Sequence, residues 1–102
     1  MTSVAWRATL LVVVKSFRSK ALKGLWEKGT SASIRPDLRR RIENRFEVLD
    51  SALVLSDLTG FGTHPLKGTS PQRHSMSVNG PWRITFEFRD GDAYLVDLEQ
   101  YH

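Results

Sequence analysis

A chain of 102 residues is long enough for one hydrophobic core and too short for two. Fifteen Lys and Arg against eleven Asp and Glu give a net charge of +4 and a pI near 9.9, which favours a polyanionic partner without requiring one. The absence of cysteine excludes disulfides, thiolate metal sites and cysteine nucleophiles, and is compatible with the cytosol.

In chain order, the apolar run from Leu10 to Val14 is too short to span a bilayer. A lone Arg7 and no small-residue cleavage site argue against a signal peptide. The run reads instead as a first strand continuing through Lys15, Ser16 and Phe17, β-branched enough to be covered on both faces. Ser19 is placed to cap a short helix from Lys20 to Lys28, with Leu22, Leu25 and Trp26 at helical spacing and Gly29 as the stop. Thr30 to Ser33 is a polar linker. Pro36 suits the first turn of a second helix reaching about Ala52, with Leu38, Ile42, Phe46 and Leu49 on one apolar stripe. Its opposite face carries Arg39, Arg40, Arg41 and Arg45. That run is either a solvated helix face or a contact for phosphates or an acidic partner. From Leu53 to Gly62 the pattern fades into a loop, and the chain holds no internal repeat or second domain.

From His64 onward the sequence reads as consecutive hairpins, with Asn79-Gly80-Pro81 and Asp90-Gly91 between alternating apolar and polar runs. A two-residue loop at Asn79-Gly80 would set Met76 against Arg83 and Ser77 against Trp82. A three-residue loop that includes Pro81 avoids this, pairing Val78 with Trp82, Met76 with Ile84, His74 with Phe86 and Ser77 with Arg83. A two-residue turn at Asp90-Gly91 pairs Phe88 with Ala93, Phe86 with Leu95 and Arg83 with Leu98. One face then carries Met76, Val78, Trp82, Ile84, Phe86, Phe88, Ala93 and Leu95. The other gathers Arg73, Arg83, Gln100 and His102. The whole implies an α+β domain: an N-terminal strand, two helices, and a three-stranded antiparallel meander whose apolar face the helices cover.

No phosphate-binding glycine loop, nucleophile elbow or paired metal-ligand spacing is present. What the residues alone give is a cationic corner where His64, Lys67 and the terminal His102 could meet Arg73 and Arg83. His102 suits proton transfer, because an unperturbed imidazole titrates near pH ~6.5. Arg83 and Arg73 would clamp phosphate and Lys67 would add charge. His64 would transfer a second proton or bind phosphate, and Tyr101 would stack on a base or orient His102. The bland alternatives are a frayed Tyr-His end, a loop histidine before Pro65, and an Arg83 paired at the surface with Glu87 or Asp97. Trp6, Trp26 and Trp82 read as packing residues, and His74 as a core residue.

The residues His64-Pro65-Leu66-Lys67-Gly68, Ser75 to Phe88, Gly91-Asp92-Ala93-Tyr94 and the terminal Tyr101-His102 resemble the HigB toxins of the RelE superfamily, also called plasmid maintenance system killer proteins. Val14 to Phe17 resembles that family's N-terminal strand and Leu22 to Gly29 its first helix, so the likeness covers Val14 to His102. It implies the toxin half of a type II toxin–antitoxin pair, a ribosome-dependent mRNA endonuclease that needs no metal or other cofactor. It also implies partners: a helix-turn-helix antitoxin of HigA type, the ribosome with its mRNA, and operator DNA reached through the antitoxin. A cytoplasmic location without membrane association follows. By the resemblance, His64, Lys67, Arg83, Tyr101 and His102 fall on functional positions. RNA cleavage without a metal needs a group to take the 2′-hydroxyl proton, cations to stabilise the phosphorane, and an acid for the departing 5′-oxygen.

The sequence also departs from that pattern. Many relatives end in Asp-Tyr-His, whereas Gln100 stands in the Asp position here. Glu99 is adjacent, but in an extended strand it would point to the opposite face. Gly62-Thr63 replace longer residues and are expected to loosen the loop before His64. Residues 1 to 13 have no counterpart in the family, which suggests a natural start near Val13 or Val14. The rival reading is a RelE-fold protein that binds without cutting, either a topoisomerase inhibitor of the ParE branch or an inactive toxin kept for antitoxin binding and operator control. Gln100 favours it; His64, Lys67 and His102 together oppose it. A free-standing nucleic-acid-binding module is a third reading, which lacks a recognition helix.

Overall fold

The computed structural model describes residues 14–29, 32–52 and 55–100. The expectations for residues 1 to 13, Trp6 among them, and for Tyr101 and His102 lie outside the described residues.

Helix α1 (Lys20–Lys28) begins where the sequence predicts. Ser19 sits in extended backbone and its Oγ accepts the Leu22 N–H at 3.1 Å, satisfying a donor that the first helical turn leaves open. Gly29 ends the helix at φ 76°, donating its N–H to the Leu25 carbonyl, a conformation that costs glycine little. Helix α2 (Pro36–Ser51) starts on a proline whose fixed φ suits the first turn. Leu38, Ile42, Phe46 and Leu49 are fully or almost fully buried along it, each contributing roughly 1.5–3 kcal/mol by leaving water. Phe46 meets Trp26 of α1 edge-on at 5.2 Å and Phe17 at 6.1 Å, which locks both helices to the N-terminal segment.

A 3-10 helix (Leu55–Phe61) leads into a four-stranded antiparallel sheet ordered β1-β2-β3-β4, with β1 at His64–Pro65, β2 at Arg73–Asn79, β3 at Trp82–Arg89 and β4 at Asp92–Gln100. The meander is present, and β1 adds a short edge strand to it. Met76, Val78, Ile84, Phe86, Ala93 and Val96 form the buried face beneath the helices, with Trp82, Phe88 and Leu98 packed at its margin. The N-terminal segment makes two isolated parallel bridges to β4, Val14 with Ala93 and Phe17 with Val96. Its cover is one-sided, since Val14 is buried and Lys15 exposed.

The register differs from expectation at both hairpins. At the first, Met76 pairs with Ile84 and Ser77 with Arg83 as predicted, but a bulge at Val78 brings Asn79 opposite Trp82. Only Gly80 and Pro81 are left in the loop. At the second, Phe88 pairs with Ala93, but a one-residue shift between Thr85 and Glu87 moves the rest of β4. Leu95 takes a left-handed φ of 51° and turns outward, 36 % exposed, while Val96 enters the core. Leu98 then pairs with Ile84, Glu99 with Arg83 and Gln100 with Trp82. The physical reason is charge. Without the bulge, alternation would aim Asp97 and Glu99 at Ile84 and Trp82 on the apolar face, and burying unpaired carboxylates costs several kcal/mol. One left-handed residue costs about 1–2 kcal/mol. Ser16 helps the bulge: its Oγ accepts the Leu95 N–H at 2.9 Å and its carbonyl accepts from Val96 N at 3.1 Å.

Candidate functional site

Alternation along β2, β3 and β4 sends a second set of side chains to the face away from the helices, and these are polar: Arg73, Ser75, Arg83, Thr85, Glu87 and Glu99. His64 joins them, because it is the partner of Ser75 across β1 and β2.

Arg83 lies at the centre. Its Nε donates to Ser75 Oγ. Its Nη2 donates to the Gly62 carbonyl at 2.9 Å and, less closely, to the Ser75 carbonyl at 3.4 Å. All these acceptors are neutral, and among the described residues no carboxylate forms an ion pair with Arg83, so neither Glu87 nor Asp97 is its partner. The guanidinium is therefore oriented without being neutralised, as an anion-binding group should be. The same contact ties down the segment before His64. Thr63 Oγ1 donates to the Leu58 carbonyl, so the Gly62-Thr63 loop is fixed at both residues rather than loosened. Gly62 permits this at φ 64°, and a Cβ there would lie 3.9 Å from the Arg83 guanidinium.

His64 is exposed, and its Nδ1 lies 3.1 Å from the Pro65 carbonyl. A carbonyl can only accept, so that contact requires Nδ1–H and leaves Nε2 to exchange protons. Lys67 is exposed at the tip of a turn that Gly68 enters at φ 79°. The turn is closed by Thr69 Oγ1 donating to Leu66 O at 2.9 Å and by Leu66 N donating to Arg73 O at 2.8 Å. Lys67 thus stands on a braced loop beside β1.

Arg73 does not reach solvent as the sequence suggested. It is 6 % exposed: Nη2 donates to Thr85 Oγ1 at 3.1 Å and Leu95 O at 2.8 Å, and Nη1 faces Glu87 at 3.8 Å. Burial, then the charge of Arg18, lowers its pKa, while Glu87, Glu99 and Asp97 oppose the shift. These contacts tie β2 to β3 and β4. Arg39, Arg40 and Arg41 are exposed on α2, in the helical layer on the other side of the sheet, so the fold does not bring them to this face. Arg45, expected on the same solvated stripe, is half-buried instead. Its Nε donates to Ser77 O at 2.7 Å and its guanidinium lies 4.5 Å from the Phe61 ring centroid. His74 faces the core, stacked on Phe86 with centroids 6.0 Å apart.

Glu99 is the residue that sequence reasoning turned the wrong way. It lies on the polar face opposite Arg83, and its Oε2 accepts from Thr85 Oγ1 at 2.5 Å. Gln100 goes with Trp82. The signal was in the strand itself: apolar residues at Ala93 and Leu95 change phase to Val96 and Leu98, and adjacent apolar residues at a phase change mark a bulge. Among the described residues no group of three or more His, Asp and Glu could hold a metal ion, and no helix is long and apolar enough to cross a membrane.

Residues 15–102 match the family described as RelE-like toxin of type II toxin-antitoxin system HigB. The chain is also 39% identical over 92 residues to the endoribonuclease HigB of Proteus vulgaris, a match covering 88% of this chain and 100% of that relative.

Proposed function

This chain belongs to the RelE-like HigB toxins of type II toxin–antitoxin systems, and on that premise we propose that it is an endoribonuclease that cuts messenger RNA on the ribosome. The observation that carries the reading is Arg83, a cation fixed by Ser75 and Gly62 with no carboxylate ion-pair partner among the described residues, on the same sheet face as the exposed His64. Such an arrangement holds a scissile phosphate and stabilises the charge that builds on its oxygens. The non-cutting alternatives lack a comparable observation, and the relative quoted above is named an endoribonuclease.

In this reading Arg83 clamps the phosphate and Lys67 adds charge from the adjoining turn. Arg73 serves from below, keeping β3 and β4 in place. His64 and His102 are the imidazoles on which proton transfer can draw, His64 otherwise binding phosphate, and Tyr101 stacks on a base or orients His102. Cleavage forms the 2′-oxygen–phosphorus bond and breaks the bond to the 5′-oxygen, so two proton transfers and one cationic clamp suffice. Arg39, Arg40 and Arg41, on the far layer, contact ribosomal RNA phosphates rather than the scissile one. Binding weakens accordingly as salt rises. The neutralising partner is a helix-turn-helix antitoxin of HigA type, through which the pair reaches operator DNA in the cytoplasm.

Mapping of transcript 5′ ends after brief induction in bacteria tests this. Cuts confined to translated regions, lost when His102 is deleted while antitoxin binding persists, are the expected result. Growth arrest without such cuts refutes the nuclease reading.

A further inference from the structure

The polar face forms a row across the strands. His64 on β1 pairs with Ser75 on β2; Ser75 pairs with Thr85 on β3; Arg83, on the same face of β3, has Glu99 opposite it on β4. With strands about 4.8 Å apart, an imidazole stands on one side of the Arg83 guanidinium and a carboxylate on the other. An in-line displacement at phosphorus needs that separation, because the attacking and leaving oxygens lie on opposite sides of the phosphorus atom.

We propose that Glu99 is a catalytic residue, the base that takes the proton from the attacking ribose 2′-hydroxyl. This rests on the ribonuclease reading above and assigns the carboxylate of that site. Three observations carry it. The bulge at Leu95 brings Glu99 to the face of Arg83 and sends Gln100 to the side of Trp82. Thr85 Oγ1 holds Glu99 Oε2, and Arg73 Nη2 in turn donates to that hydroxyl at 3.1 Å, so one oxygen is anchored, while Oε1 has no partner among the described residues. Asp97, the other acid on this face of β4, turns its Oδ1 back to the Leu98 N–H at 2.9 Å and lies opposite Thr85 rather than Arg83.

In the step, the 2′-hydroxyl proton passes to Glu99 Oε1 as the 2′-oxygen bonds to phosphorus. The bond to the 5′-oxygen breaks, and that oxygen takes a proton from an imidazolium, for which His64 stands across Arg83. The products are a 2′,3′-cyclic phosphate and a 5′-hydroxyl. Solvent then takes up the proton from Glu99 and restores the one given up by the imidazole.

The experiment is single-turnover cleavage of a defined mRNA on programmed ribosomes by the full chain, its Glu99→Gln variant and its Gln100→Ala variant, each across a pH series. Gln keeps an acceptor for the Thr85 hydroxyl and removes only the basic oxygen, so thermal melting and antitoxin binding serve as controls and stay unchanged. Expected are a loss of at least about 100-fold for Glu99→Gln with the acid limb of its pH profile flattened, and cutting at the unaltered rate for Gln100→Ala. Wild-type rate in Glu99→Gln, or a slower rate with an unaltered profile, overturns the assignment. So does loss of cutting in Gln100→Ala alone. Failure of the unaltered chain to cut overturns the ribonuclease reading and this assignment with it.

Discussion

Arg73 and Glu87 are partners across β2 and β3, and their charged groups face one another at 3.8 Å with 7% of each side chain exposed. The pair underlies the polar face. Breaking a buried pair from one side leaves an uncompensated charge, whereas replacing both members by apolar groups removes the desolvation cost as well. Glu87→Gln is therefore expected to destabilise the fold by about 3 kcal/mol, read from the urea midpoint. Arg73→Met combined with Glu87→Leu is expected to recover most of that loss. Equal losses in the single and double variants would contradict the argument.

Arg83 has no such partner among the described residues, and its removal is a test of function rather than of folding. Arg83→Ala is expected to slow cleavage by about 100-fold or more, the scale of a lost transition-state donor. Arg83→Lys recovers only part of the rate, because an ammonium does not reproduce the fork that spans Ser75 and Gly62. Single-turnover rates beside melting curves check this: a parallel fall in both would assign Arg83 to the scaffold.

His74 gives the fold a pH dependence of definite sign. Burial, then the charge of His64, lowers its pKa below the usual histidine value, and its Nδ1 is buried without a hydrogen-bond partner among the described residues. The unfolded chain then binds this proton more readily than the folded one, so the stabilisation is intact above about pH 6.5. It is lost as pH falls through the lowered value. Denaturation midpoints should decline over that window in the unaltered chain and decline less in His74→Phe, which keeps the ring against Phe86.

Arg45 joins α2 to the first bulge through its 2.7 Å bond to the Ser77 carbonyl. Arg45→Met keeps the aliphatic stem and removes the charged donor, and is expected to cost about 2 kcal/mol. A change in stability within a few tenths of a kcal/mol in urea unfolding would show that water replaces the bond at no cost.

By itself the sequence determined the local elements. Ser19 and Gly29 delimit α1, Pro36 and the Leu38–Leu49 stripe define α2, and the two turns dictate the meander, because caps, turn residues and periodicity act over a few neighbouring residues. The sequence put His64 just before the meander, but not on the edge strand that sets it opposite Ser75. Three decisions belonged to the tertiary structure. Arg73 is buried because Thr85 and Glu87 of β3 and Leu95 of β4 converge on it. Arg45 leaves its solvated stripe because Ser77 and Phe61 offer it partners remote in sequence. Glu99 faces Arg83 because β4 places a bulge at Leu95 instead of burying two carboxylates. Strand alternation amplifies such a choice: a one-residue shift reverses every side chain beyond it, and that shift was decided by the opposite strand and the core beneath it.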